Sequence, residues 1–149
     1  MQLTKQTDFA FRTLLYLAEL PAGKLANIKE ICDFYGISKN HIAKVVMKLT
    51  KLGMVRAVRG NGGGIALAVP AETISLAYVV ENFETTLQPV NCTVPRCKIL
   101  SSCQLKGVLF DASRAFMDTL KGKTLADVCT AGNKTLDGES AAQVLEIKS

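Results

Sequence analysis

Residues 54–69, MVRAVRGNGGGIALAV, restrict the fold more than any other stretch. Two short runs rich in β-branched and small apolar residues flank Gly60, Asn61, Gly62, Gly63 and Gly64, the pattern of a strand, a glycine-rich turn and a second strand. A phosphate-cradling loop does not fit. A P-loop ends in Gly-Lys-Ser/Thr and a dinucleotide loop must open a helix, whereas here an apolar strand follows. Pro70 closes the hairpin.

The residues before it read as three helices. Over 3–20, Thr4 is placed to cap, Phe9, Ala10, Leu14, Leu17 and Ala18 form one apolar stripe, and Phe11, Leu15 and Leu20 extend a second, so this helix has two packing partners. Asp8 reads most simply as a first-turn carboxylate favoured by the helix dipole. It also stands four residues before Arg12, close enough for an ion pair of roughly a few tenths of a kcal/mol. Pro21, Ala22 and Gly23 break the helix. Asn27 and Glu30 then form a capping box ahead of Ile28, Ile31, Cys32 and Tyr35, whose spacing places Cys32 in the core. After Gly36, Ser38 is placed to cap a third helix with Ile42, Val45, Val46, Leu49 and Leu52 inward. Lys39, Asn40, His41, Lys44, Lys48 and Lys51 make its outward face.

Helix, glycine-containing turn, helix and hairpin in this order predict a mainly α fold with a small β wing, a winged helix-turn-helix. The second helix of such a pair enters a major groove, which makes Ser38, Lys39, Asn40, His41 and Lys44 candidate DNA contacts. Asn suits adenine, and Lys suits guanine or phosphate. Arg56, Arg59 and Asn61 would bring cations and an amide to phosphate or the minor groove. Charge agrees with this reading: residues 1–66 carry 10 Lys and Arg against 4 Asp and Glu, net +6, while 67–149 carry 8 against 9, net −1. The plainer alternative is a solvated lysine face, as on many helix pairs that never touch DNA.

Beyond Pro70, Ser75 is placed to cap a short helix through Leu76, Val79, Val80 and Phe83. The loop that follows, LQPVNCTVPRCKILSSCQ over 87–104, contains Cys92, Cys97 and Cys103 at Cys-x4-Cys-x5-Cys spacing, stiffened by Pro89 and Pro95. A loop offers little apolar interior in which to bury three thiols, so the residue types point to a soft metal centre, zinc or iron-sulfur. With no secretory signal and no apolar run of membrane-spanning length, a cytoplasmic location is expected. In that reducing setting clustered cysteines are metal-binding or redox-active, and five is an odd number for disulfides. A thiol redox enzyme fits poorly, since there is no Cys-x-x-Cys and no histidine near the thiols. Structural zinc is the other alternative, although gaps of four and five exceed its usual ones.

A longer helix is predicted over 102–121, with Leu105, Leu109, Ala112, Phe116 and Leu120 on a seam suited to pairing with a second subunit. An intramolecular core helix suits the same spacing. Gly122 stops it, and residues 124–129 add a short helical turn. The expected organisation is a DNA-binding domain over 1–70, a cysteine loop and dimerisation helix over 71–130, and a polar, aperiodic C-terminal tail over 131–149, free to be mobile.

Residues 1–130 resemble the winged-helix iron-sulfur repressors, through MQLTKQTDFAFRTLLYLA, VRGNGGGIALA, VNCTVPRCKILSSCQL and TLADV. The cysteine spacing is similar to the nitric-oxide-sensing NsrR group. The IscR group has one more residue in the first gap and a histidine where this chain has Lys106. The resemblance implies a homodimeric transcriptional repressor, not an enzyme and not membrane-bound, that binds a double-stranded DNA operator. It implies one iron-sulfur cluster per subunit, 4Fe-4S by preference with 2Fe-2S open. The ligands would be Cys92, Cys97, Cys103 and a carboxylate from the partner's first helix, matched here by Asp8, with Cys32 and Cys129 outside the set. From that ligand set nitric oxide is expected to act at the iron bound by the harder carboxylate. Loss of Asp8 would then separate the first helix from the loop, move the reading helices off their half-sites and lift repression.

Overall fold

Five α-helices, one two-stranded sheet and two 3-10 turns make up residues 2–129, the part of the chain described by this computed structural model. The tail over 131–149 lies outside the described residues. The first helix, α1 (Lys5–Ala18), is shorter than the apolar pattern suggests and starts where Thr4 accepts the Thr7 N–H. Its buried side comprises Ala10, Leu14 and Leu17 together with Thr7 and Thr13. Those two threonines escape an apolar-stripe reading because their hydroxyls have partners: Thr13 Oγ1 donates to the Phe9 carbonyl at 2.8 Å, and Thr7 Oγ1 lies 3.0 Å from Thr4 Oγ1.

Helix α2 (Ile28–Tyr35) has both halves of the Asn27–Glu30 capping box, and Gly36 ends it in the left-handed conformation at φ 65°. Helix α3 (Lys39–Lys51) buries Ile42, Val45, Val46 and Leu49 against α1 and α2. Cys32 is buried in the same core and Cys129 packs at its edge.

The hairpin consists of β1 (Val55–Val58) and β2 (Gly64–Leu67), antiparallel, with Val55 opposite Leu67 and Val58 opposite Gly64. Ala26 extends it: its N–H donates to the Ile65 carbonyl at 3.0 Å and its carbonyl accepts from Ile65 N–H at 2.7 Å. The glycine run therefore does more than turn. A Cβ on Gly63 would stand 2.2 Å from the Val58 carbonyl oxygen, and one on Gly64 2.7 Å from that of Ala26. The chain is thus mostly helical with a two-stranded wing, the winged helix-turn-helix expected from its pattern.

Helix α4 (Leu76–Phe83), capped by Ser75, lies between α1 and α5 (Gln104–Lys121). Ala77, Val80 and Met117 form a second small core with Leu3, Phe11, Leu87, Phe116 and Leu120 around it. The seam foreseen on α5 is therefore divided. Phe116 and Leu120 pack inside the chain, whereas Leu105, 63 % exposed, and Ala112 face outward beside Val108, 64 % exposed. Leu105 and Ala112 of that seam recur with Val108 at steps of three and four, so the outward flank keeps two seam residues and adds Val108. The end of the described chain is tied back by the Leu125 N–H, which donates to the Ile74 carbonyl at 2.8 Å. Among the described residues no helix is long and apolar enough to cross a membrane.

Candidate nucleic-acid interface and thiol loop

On α3 the residues turned away from the core include Lys39, Asn40, His41, Lys44, Met47 and Lys51, all exposed. Ser38 occupies the N-cap position without a side-chain capping bond. Its hydroxyl instead meets His41 Nδ1 at 2.8 Å, and the His41 ring lies 5.7 Å from that of Phe9 on α1. Lys48, which spacing alone puts outward, is half-buried with Nζ 4.6 Å from the centroid of the Phe83 ring, so its charge is turned toward α4. Met47 is the outward residue that a reading by polarity misses. Arg56, Arg59 and Asn61 are exposed on the wing, Arg56 within β1 and the other two in the turn.

The thiol loop is built from consecutive turns. The Asn91 carbonyl Oδ1 accepts from Thr93 N–H at 3.0 Å, Thr93 Oγ1 at 2.9 Å and Val94 N–H at 3.2 Å. Cys97 N–H then donates to the Cys92 carbonyl at 3.0 Å, and Leu100 N–H to that of Cys97 at 3.3 Å. Cys92, Cys97 and Cys103 are all free thiols, none fully buried. Cys103 holds the N-cap position of α5 without using its side chain there, which leaves the thiol uncommitted at the point where the loop enters the helix. Arg96 and Lys98 flank Cys97 in sequence and line a surface pocket with it.

Asp8 is engaged elsewhere in its own chain. Arg12 Nε stands 3.0 Å from each of its carboxylate oxygens, realising the ion pair that the spacing allowed. The same guanidinium lies 5.6 Å from the centroid of the Tyr35 ring, whose phenol burial pushes up to about 12. Among the described residues no three His, Cys, Asp or Glu side chains gather as a metal-binding group. In donor type the loop nevertheless fits an iron-sulfur centre, since three free, partly exposed thiols on one short segment are the ligands such a centre takes.

One further residue positions the loop, and no motif marks it. Glu84, just past α4, accepts from the Thr4 N–H at 2.8 Å and from Thr4 Oγ1 at 3.0 Å, and also from Thr7 Oγ1. Burial pushes its carboxyl up, but these three hydrogen bonds outweigh burial and hold it below the ordinary glutamate value. Leu87 packs near Leu3 and Phe11, and its carbonyl accepts from Ser113 Oγ at 2.8 Å. The start of the thiol loop is thereby fastened both to the α1 N-terminus and to α5.

Comparison with protein families matches residues 3–131 to Rrf2, described as an iron-dependent transcriptional regulator. The chain belongs to the Rrf2 family. As an Rrf2 protein it is a DNA-binding transcriptional regulator, and its winged helix is the part suited to that task. Solved structures share the fold. The oxidised form of Staphylococcus aureus CymR is 24 % identical, with a TM-score of 0.71 over 89 % of this chain and 99 % of that one. CymR (YrzC), the global cysteine regulator of B. subtilis, is 18 % identical, with 0.67 over 85 % and 95 %. T. potens IscR is 21 % identical, with 0.68 over 85 % of each chain.

Proposed function

We propose that this Rrf2 regulator is a homodimeric repressor of the NsrR type, in which Cys92, Cys97 and Cys103 of one subunit and Asp8 of the partner subunit hold an iron-sulfur cluster, and in which nitric oxide is the signal. The observation that carries this reading is the set of three free, partly exposed thiols on one loop leading into a helix with an exposed apolar flank. The iron-dependent description of the family supports it. A bound cluster, 4Fe-4S in preference to 2Fe-2S, supplies iron that a diatomic ligand can reach and a cross-link between subunits.

The chain's own residues do the rest. Leu105, Val108 and Ala112 bury against their symmetry copies and form the dimer. Dimerisation sets the spacing of two α3 helices, whose Lys39, Asn40 and Lys44 meet base edges and phosphates, with Ser38 and His41 completing the first turn. Arg56, Arg59 and Asn61 hold the flanking backbone. Asp8 lies one turn into α1, which packs on α3, so releasing Asp8 from the partner's loop frees α1 and α3 to shift against the half-site. Residues 1–70 thus read DNA, and 71–130 sense and dimerise.

Anaerobic purification tests the assignment. The protein should be brown, with iron and sulfide that disappear in Cys97→Ala. Colourless protein with stoichiometric zinc would replace this reading with a structural-zinc regulator, and metal-free protein with a reactive thiol would replace it with thiol redox chemistry.

A further inference from the structure

We propose that Met47 reads a thymine methyl group in the operator and so helps to determine which sequence is bound. The inference rests on α3 being the helix that enters the groove. With about 100° between successive helical residues, Asn40, Lys44, Met47 and Lys51 fall within an arc of about 60°, opposite Ile42, Val45, Val46 and Leu49. Met47 is 70 % exposed in that arc, and its neighbours there are an amide and two ammonium groups. A lone exposed apolar side chain needs no explanation in general. This one lies at the middle of the polar face of the groove helix.

The side-chain chemistry then narrows the target. Lysines on either side can reach phosphates, and Asn40 can pair in a bidentate manner with adenine. Methionine brings no donor and only a weak sulfur acceptor, so what it offers a base edge is apolar contact. The apolar feature of the major groove is the C5-methyl of thymine. An unbranched side chain with three rotatable bonds can extend to it and adapt its shape. Asn40 and Met47 stand seven residues apart, roughly 10 Å along the helix axis, so the two side chains reach different base pairs of one half-site. Each half-site should therefore hold a thymine at a base pair other than the one whose adenine Asn40 reads.

The test uses the full-length protein and duplexes enriched by it from a randomised pool. Each thymine of the enriched site is replaced singly by deoxyuridine, which removes only the methyl group. At one thymine per half-site the wild type should lose about fourfold in affinity, the value of one buried methyl group. Met47→Ala should bind the thymine duplex more weakly and show no difference between thymine and uracil there, while Met47→Leu keeps the difference. An unchanged thymine preference in Met47→Ala overturns the proposal. Asn40→Ala and Lys44→Ala separate the two levels. If they weaken binding while Met47→Ala leaves the profile intact, only Met47 is misassigned. If neither weakens binding, α3 is not the reading helix and both fall.

Discussion

Asp8 and Arg12 face each other across one turn of α1, with Arg12 Nε 3.0 Å from both carboxylate oxygens. The side chains are 44 % and 43 % exposed, so the pair contributes only about 0.3–0.5 kcal/mol to stability. Its importance lies in competition. To bind a cluster on the partner's loop, Asp8 must leave Arg12. Arg12→Ala and Asp8→Ala should therefore each melt close to the wild type, within about 0.5 kcal/mol. Their effects on the cluster should be opposite, with slower anaerobic loss of visible absorbance to a chelator in Arg12→Ala and faster loss in Asp8→Ala. Identical decay in both variants would remove Asp8 from the ligand set.

Glu84 ties the end of α4 to the first turn of α1, and its carboxyl titrates below the ordinary value of 4.5. A carboxylate held down in the folded state stabilises the fold above its unfolded pKa, and that contribution fades as pH falls through the folded value. Glu84→Ala should cost about 1 kcal/mol at neutral pH. The gap between variant and wild type should close as pH falls below 4.5 toward the lower folded value. Urea unfolding at neutral and acid pH checks this, and a gap independent of pH would contradict it. Glu84→Gln, which keeps an acceptor oxygen, should fall between the two.

Gly63 allows the wing to close, because a Cβ there would meet the Val58 carbonyl oxygen at 2.2 Å. Gly63→Ala should open the hairpin at a cost of about 1–3 kcal/mol while the helical circular dichroism persists. Operator affinity should fall, and its log-log dependence on salt should become shallower by about 0.9 for each phosphate that Arg56 and Arg59 no longer neutralise. Wild-type affinity with the wild-type slope would take the wing out of the interface.

Val108 stands 64 % exposed on the outer flank of α5 beside Leu105 and Ala112. Val108→Glu places two carboxylates at the proposed twofold contact, so sedimentation should show a dimer for the wild type and monomer for the variant. Cluster retention should fall with it under the proposed ligand set, in which Asp8 acts across the interface. A stable dimer would move the contact elsewhere.

The features legible from residue order are the local ones. Thr4, Asn27 and Ser75 cap helices through bonds spanning three residues, and the glycine run demands a turn wherever it falls. Relations between distant segments are not legible in this way. Nothing near Ala26 announces its pairing with Ile65, and nothing near Glu84 announces Thr4. The α5 stripe is visible as a period, yet only the position of α4 decides that Phe116 turns inward and Val108 outward. Met47 is apolar by type, yet its helical phase sets it opposite Val45 and Leu49, and its exposure agrees with that phase. The thiol spacing is plain in the sequence, whereas Asp8 enters through family resemblance because its proposed partners belong to another subunit.

The most direct test is operator affinity of the anaerobically purified protein, measured before and after nitric oxide is added, with the visible absorbance followed in the same sample. The expected result is a loss of affinity of about tenfold or more that tracks the loss of absorbance, and no response in Cys97→Ala. Wild-type protein that still binds its operator with unchanged affinity once the absorbance has gone would contradict the account.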